Sequence, residues 1–135
     1  MAKVCHVCKN GDVLDTCILT ATIGNKTYAA QVRGTTCNKC GESSVGGYEL
    51  YAFNIVVARM LLENPELKGE GFHFCRKTYG VSRENCARHN GITSDELKRL
   101  EELNAPVNVS MRRPIAHSIE QAYDALEYKP AVTVA

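Results

Sequence analysis

Two CxxC pairs, Cys5-His6-Val7-Cys8 and Cys37-Asn38-Lys39-Cys40, with residues 9–36 between them, limit the fold more than any other feature of the sequence. Two thiols three positions apart on a tight turn converge on one point. Two such turns brought together supply a tetrahedral four-thiolate shell, with Zn–S bonds of about 2.3 Å. Gly41, directly after Cys40, suits the sharp turn that such a knuckle needs. Four protein ligands leave no position open for water or substrate. The expected metal is therefore structural, replacing a core that residues 1–47 cannot build alone. Zinc (Zn2+) is the expected ion, though four thiolates suit iron as well.

Between the pairs, residues 13–23 and 27–33 are rich in Val, Ile, Thr and Leu, and Gly24-Asn25-Lys26 has turn chemistry, so a β-hairpin is expected. A redox dithiol would want a CxxC at the start of a helix after a strand; here both pairs flank β-like sequence. Cys17, Cys75 and Cys86 lack a paired partner and read as small buried residues. No apolar run follows Met1-Ala2-Lys3, and no stretch approaches the roughly 20 apolar residues that span a bilayer. The expected location is the cytoplasm, away from membranes, where thiols stay reduced and doubled CxxC spacing indicates metal before disulfides.

Glu42 to Gly47 is a small-residue hinge, and helical periodicity begins after it. Leu50, Phe53, Val57, Met60 and Leu61 fall on one face of a helix over 48–63, which Pro65 stops; residues 48–67 read as a connecting helix. Beyond it, three short helical segments are separated by Gly80-Val81 and Asn90-Gly91-Ile92, the pattern of a helix-turn-helix. Phe74 and Cys75 would pack the first helix, Ala87 would let the second cross the third, and Ile92 and Leu97 would point to the core. Thr93 and Glu96 suit a capping box, and Pro106 ends that helix. Pro114 suits the first turn of a final helix over about 115–128, with Ile115, Ile119, Ala122, Tyr123 and Leu126 as its stripe. The last seven residues, KPAVTVA, read as frayed. The expected fold class is α+β: a small four-cysteine β domain over 1–47, then an all-α helix-turn-helix domain over 68–135.

The net charge of +1 is unpromising for a nucleic-acid protein, but its distribution matters more. Residues 68–113 carry +3 (9 basic, 6 acidic), whereas 48–67 and 114–135 carry −2 each. On a helix-turn-helix, the N-terminal half of the helix from Ser94 to about Leu103 enters the major groove of double-stranded DNA. Ser94, Asp95, Lys98 and Arg99 would reach base edges, Arg99 best of all because its fork takes guanine O6 and N7 together. Ser82, Arg83, Arg76 and Lys77 stand where backbone contacts are expected, and Lys68, Arg88, Arg112 and Arg113 could add phosphate contacts.

CHVC, the hairpin and CNKCGE, followed by FCRKTYGVSRENCARHNGITSDELKRLEE, together resemble the MqsA-like antitoxin family, in which a YgiT-type zinc-binding domain precedes a Cro/repressor-type helix-turn-helix. The resemblance implies a homodimer formed through the helix-turn-helix half, a palindromic operator, repression of the chain's own operon, and a toxin bound by the zinc domain. Arg99 stands where the family has a base-reading Arg; Asp95 stands where it commonly has Asn. The glycine that commonly follows the recognition helix is replaced by Leu103-Asn104-Ala105-Pro106. The same architecture also serves regulators of mobile elements without a toxin, and a helix-turn-helix that has lost DNA binding can survive as a protein-interaction module. An enzyme is not expected: no His/Asp/Ser constellation is visible and the thiolate shell is closed.

Overall fold

Residues 12–37 form the expected hairpin, longer at both ends than its β-branched core. β2 (Asp12–Ile23) pairs antiparallel with β3 (Lys26–Cys37) through the two-residue loop Gly24-Asn25. Gly24 has φ +65° and Asn25 does not have positive φ, as a type II′ turn requires. Leu14 faces Thr36 and Thr16 faces Arg33, so Asp15 stands opposite two residues, Gly34 and Thr35, in a bulge. Gly34 lets the following chain close in: a Cβ there would lie 2.6 Å from the Ser44 carbonyl oxygen and 3.0 Å from the Cys17 Cβ.

The computed structural model describes residues 3–135. Short strands complete one antiparallel sheet: β1 (Lys3–Val4) on the start of β2, and β4 (Ser43–Ser44) on the end of β3. β5 (Thr133–Val134) adds to β3 at Tyr28 and Ala29, and Thr27 exchanges two backbone hydrogen bonds with Ala135 at 2.9 and 3.0 Å. The tail read as frayed is thus ordered. Its backbone pairs with a strand about a hundred residues away, which local composition does not reveal.

α1 (Gly47–Glu63) does more than connect. Ala52, Phe53, Ile55, Val57 and Ala58 are all at most 1% exposed, whereas Leu50, expected on the buried stripe, is 43% exposed. The helix is buried on several sides because α2 (Gly69–Tyr79), α5 (Val109–Asp124) and β3 all pack on it. One contiguous core runs from Cys17, Tyr28, Ala30 and Val32 of the hairpin through α1 to Phe72, Leu97, Ile119 and Leu126. Each large apolar side chain so buried contributes about 1.5–3 kcal/mol.

α3 (Arg83–His89) and α4 (Ser94–Glu102) follow α2. Gly80 ends α2 with φ +85°, Ser82 caps α3 by accepting from the Asn85 N–H, and Gly91 turns the chain with φ +67°. Thr93 caps α4, accepting from the Glu96 N–H at 3.1 Å; Glu96 answers through the Thr93 hydroxyl at 3.2 Å. α4 ends in a Schellman motif on Asn104, whose φ of +51° takes the place of a glycine: the Ala105 N–H bonds the Leu100 carbonyl and the Asn104 N–H that of Glu101. The start of α5 departs from expectation. Asn108 initiates the helix by accepting from the Met111 N–H at 2.9 Å, so Pro114 lies inside it instead of in its first turn. No helix among the described residues is long and apolar enough to cross a membrane.

Candidate metal centre and nucleic-acid interface

The hairpin carries both CxxC turns to the end away from its loop. Cys37 closes β3 opposite Val13, and Cys5 follows β1, whose Lys3 pairs with that same Val13. All four sulfurs lie within 4.8 Å of one another, with Cys5–Cys40 at 3.7 Å and Cys8–Cys37 at 3.5 Å. These separations exceed a disulfide bond and approach the edge of about 3.8 Å that follows for a tetrahedron with metal–sulfur bonds near 2.3 Å. The four cysteines thus form a cluster that can hold a metal ion.

The two knuckles repeat one geometry. In each, the N–H two residues on meets the first sulfur: Val7 to Cys5 and Lys39 to Cys37, both at 3.4 Å. In each, the residue after the second cysteine adopts positive φ, 60° at Lys9 and 74° at Gly41, and its N–H returns to the first cysteine's carbonyl. Gly41 makes the sharp turn expected of it, but Lys9 meets the same demand without being a glycine. Spacing does not single out Gly11, yet a Cβ there would overlap the Cys37 Sγ. Only glycine lets the first turn pass beneath the second.

Four thiols this close cannot all ionise unaided. The Asn10 N–H holds Cys8 down to about 6, with help from the Cys37 thiol, and the N–H groups of Cys8 and Val7 lower Cys5. At Cys40 the Glu42 N–H lowers the value, but desolvation and the other three thiols outweigh it and push it up to about 12. The site thus has the sulfur geometry of a four-thiolate shell, and a divalent cation supplies the charge that would let all four act as thiolates.

Ser94, Asp95, Lys98 and Arg99 sit on the first two turns of α4. Leu97, on the opposite side, is fully buried, so Asp95, Lys98 and Arg99 are left exposed with Ser94 half-buried. Ser82 and Lys77 are also exposed. Arg76 is not where spacing put it. It is 4% exposed and its guanidinium grips the buried Glu101 carboxylate, Nε to Oε2 at 2.9 Å and Nη2 to Oε1 at 3.0 Å, while Nη1 donates to the Val81 carbonyl. Such a guanidinium is not free for a phosphate. Arg83 leans the same way, Nη2 to Glu101 Oε1 at 3.4 Å, with its Nε buried and unpaired.

Glu101 and Asn104 are the structural residues that spacing missed. Burial raises the Glu101 carboxyl, but the Arg76 and His73 contacts prevail and hold it below the usual range. Arg76 lies on α2 and Glu101 at the end of α4, so the pair ties the first helix of the trio to the last. Asn104 does the same with another bond, its Oδ1 accepting from the Glu70 N–H at 3.0 Å. Gly69 permits the approach, since a Cβ there would overlap the Leu100 carbonyl oxygen. No protein-family model matches this sequence, and the comparison with curated proteins finds no match.

Proposed function

We propose that this chain is a zinc-stabilised, DNA-binding transcriptional regulator of the kind the MqsA-like resemblance implies, a homodimeric autorepressor on a palindromic operator with a toxin as partner of its sheet domain. The observation that carries the DNA reading is the α4 surface: a capped helix anchored by buried Leu97 that turns Asp95, Lys98 and Arg99 to solvent on its first two turns. Arg99 is the chief base reader in this proposal, beside Ser94, Asp95 and Lys98; Lys77 and Ser82 hold the backbone. Four thiolates at tetrahedral spacing support zinc as a structural ion.

Fluorescence anisotropy on the DNA upstream of the chain's own gene, beside random duplex, tests this reading. Arg99→Ala should cost roughly 1–3 kcal/mol on the preferred site and little on random DNA. Equal losses on both would remove α4 as the reading helix. A second reading, a protein-interaction module without DNA binding, is favoured by one observation: Glu101 draws Arg76 and Arg83 away from the face where phosphates would lie, while Asp95 and Glu96 remain beside it. Absence of binding to either duplex at low salt would favour it.

A further inference from the structure

Where the hairpin turn meets the end of α1, the start of α2 and the residue after α4, the surface opens into a cleft of about 470 Å³, a size that suits a small molecule. Ile23, Leu61 and Leu67 give it an apolar lining, the last two of them buried. Tyr28 also lines it and is 6% exposed, yet its hydroxyl has no hydrogen-bond partner among the described residues and is not sealed from solvent. Burial, with the Cys75 thiol nearby, pushes the phenol up, so the hydroxyl remains a donor. Asn64 and Asn104 are held by their oxygens, which accept from the N–H groups of Glu66 at 2.9 Å and Glu70 at 3.0 Å. Each keeps its NH2 group as a donor at the cleft. Around these donors stand Lys26, Lys68, Glu66 and Glu70, none of them in an ion pair among the described residues. The Glu70 carboxylate reaches over the hairpin turn, 4.0 Å from where a Cβ on Gly24 would stand.

We propose that this cleft binds a free α-amino acid with an apolar side chain. Such a ligand carries one charge of each sign beside a short apolar group, and the lining answers each of the three. The carboxylate meets the two lysines and the donors of Tyr28, Asn64 and Asn104; the ammonium meets Glu66 and Glu70; the side chain lies on Ile23, Leu61 and Leu67. Two cations and two anions in the lining cancel, which disfavours a polyanion such as nucleic acid and a polycation alike. Exposed lysines and glutamates by themselves are ordinary surface. The neutral donors single this cleft out: a hydroxyl on a side chain 6% exposed, and two carboxamides whose oxygens are already engaged, offer hydrogen bonds that no described residue takes. The wall behind them is close-packed. A Cβ on Gly71 would lie 2.8 Å from the Leu67 Cδ1 and 3.4 Å from the Leu61 Cδ2, so glycine lets α2 settle there and the lining is formed before a ligand arrives. None of the four clustered cysteines and none of Ser94, Asp95, Lys98 and Arg99 takes part, so the site stands whether or not the chain holds zinc or reads DNA.

Amide chemical shifts of the full metal-loaded chain, followed as L-leucine is added to millimolar concentration, test it. Two further probes separate the charges: N-acetyl-leucine lacks the ammonium, and leucinamide lacks the carboxylate. Leucine should shift the amides of residues 24–28, 64–71 and 104, and each of the other probes should bind about tenfold more weakly. Glu70→Gln, at an exposed side chain, should weaken leucine several-fold and leave N-acetyl-leucine as it was. Tyr28→Phe keeps the ring in the core and removes only the hydroxyl, so it should weaken leucine without altering the circular dichroism. Absence of shifts with leucine, equal affinity for the three molecules, shifts confined to residues outside the cleft, or affinity for leucine unchanged by both substitutions would overturn the proposal.

Discussion

The two ends of the hairpin rest on different physics. Near Gly24 the strands lie on helices: Ile23 approaches Gly71, and Tyr28, Ala30 and Val32 join the core that α1 organises. At the cysteine end, Val4, Val7 and Leu14 are all more than half exposed, and the buried residues there are chiefly Cys5, Gly11 and Cys37. Apolar burial can hold the first end and cannot hold the second, so order there depends on the sulfur cluster.

The largest effect should therefore come from the metal. One zinc per chain is expected in a folded, reduced sample, and a chelator or Cys37→Ser should expose the knuckles over residues 5–11 and 37–42 to fast amide exchange while the helical signal persists. Loss of helical dichroism in step with the metal would break the contrast, and would mean that the shared core carries disorder from one end to the other.

Acid should act at the same end and in one direction. A thiol whose folded value is depressed, as at Cys8 from 9.0 to about 6, contributes stability present in full above the unfolded value and lost as pH falls through the folded one. Bound metal demands thiolates from all four, so protons compete with it. Zinc should be retained at neutral pH and released as the pH falls, because protons and metal compete for the same four sulfurs, and a chromophoric chelator would follow the release. Zinc content indifferent to acid, with the knuckles still ordered, would show that thiolates are not what holds the metal.

What spacing reveals follows the same division. The doubled CxxC, the hairpin between, and the caps at Ser82, Thr93 and Gly80 are local: a side chain meets a backbone group a few residues away, so composition records them. The Arg76–Glu101 pair, the β5 addition and the Gly11 contact join positions far apart in the chain, and each involves a residue with an ordinary surface reading. An arginine in a helix-turn-helix pattern suggests DNA by default. Only the packed position of Glu101 reassigns it.

That pair is the second largest effect expected, and it belongs to the helical end. Glu101→Ala leaves the Arg76 guanidinium buried without its carboxylate, and breaking one side of a buried pair costs about 3–5 kcal/mol. Denaturant unfolding followed by helical dichroism should record it, with metal content unchanged while the chain stays folded. A loss below about 1 kcal/mol would place Arg76 in solvent and restore it as a phosphate contact.

The smallest effect lies at Asn104, where two contributions can be separated. The side chain accepts from the Glu70 N–H, and the backbone sits at φ +51°, which asparagine tolerates and alanine resists. Asn104→Ala loses both the bond and the favourable backbone and should cost about 1–2 kcal/mol. Asn104→Gly loses only the bond, and its freedom at positive φ offsets part of that, so it should cost less than the alanine variant. Comparing the two by thermal or denaturant unfolding decides whether α4 ends there for conformational reasons or because the residue ties α4 to α2. If the glycine variant were the weaker of the two, the tie to α2 could not explain it, and the Schellman geometry at the end of α4 would have to be reassigned.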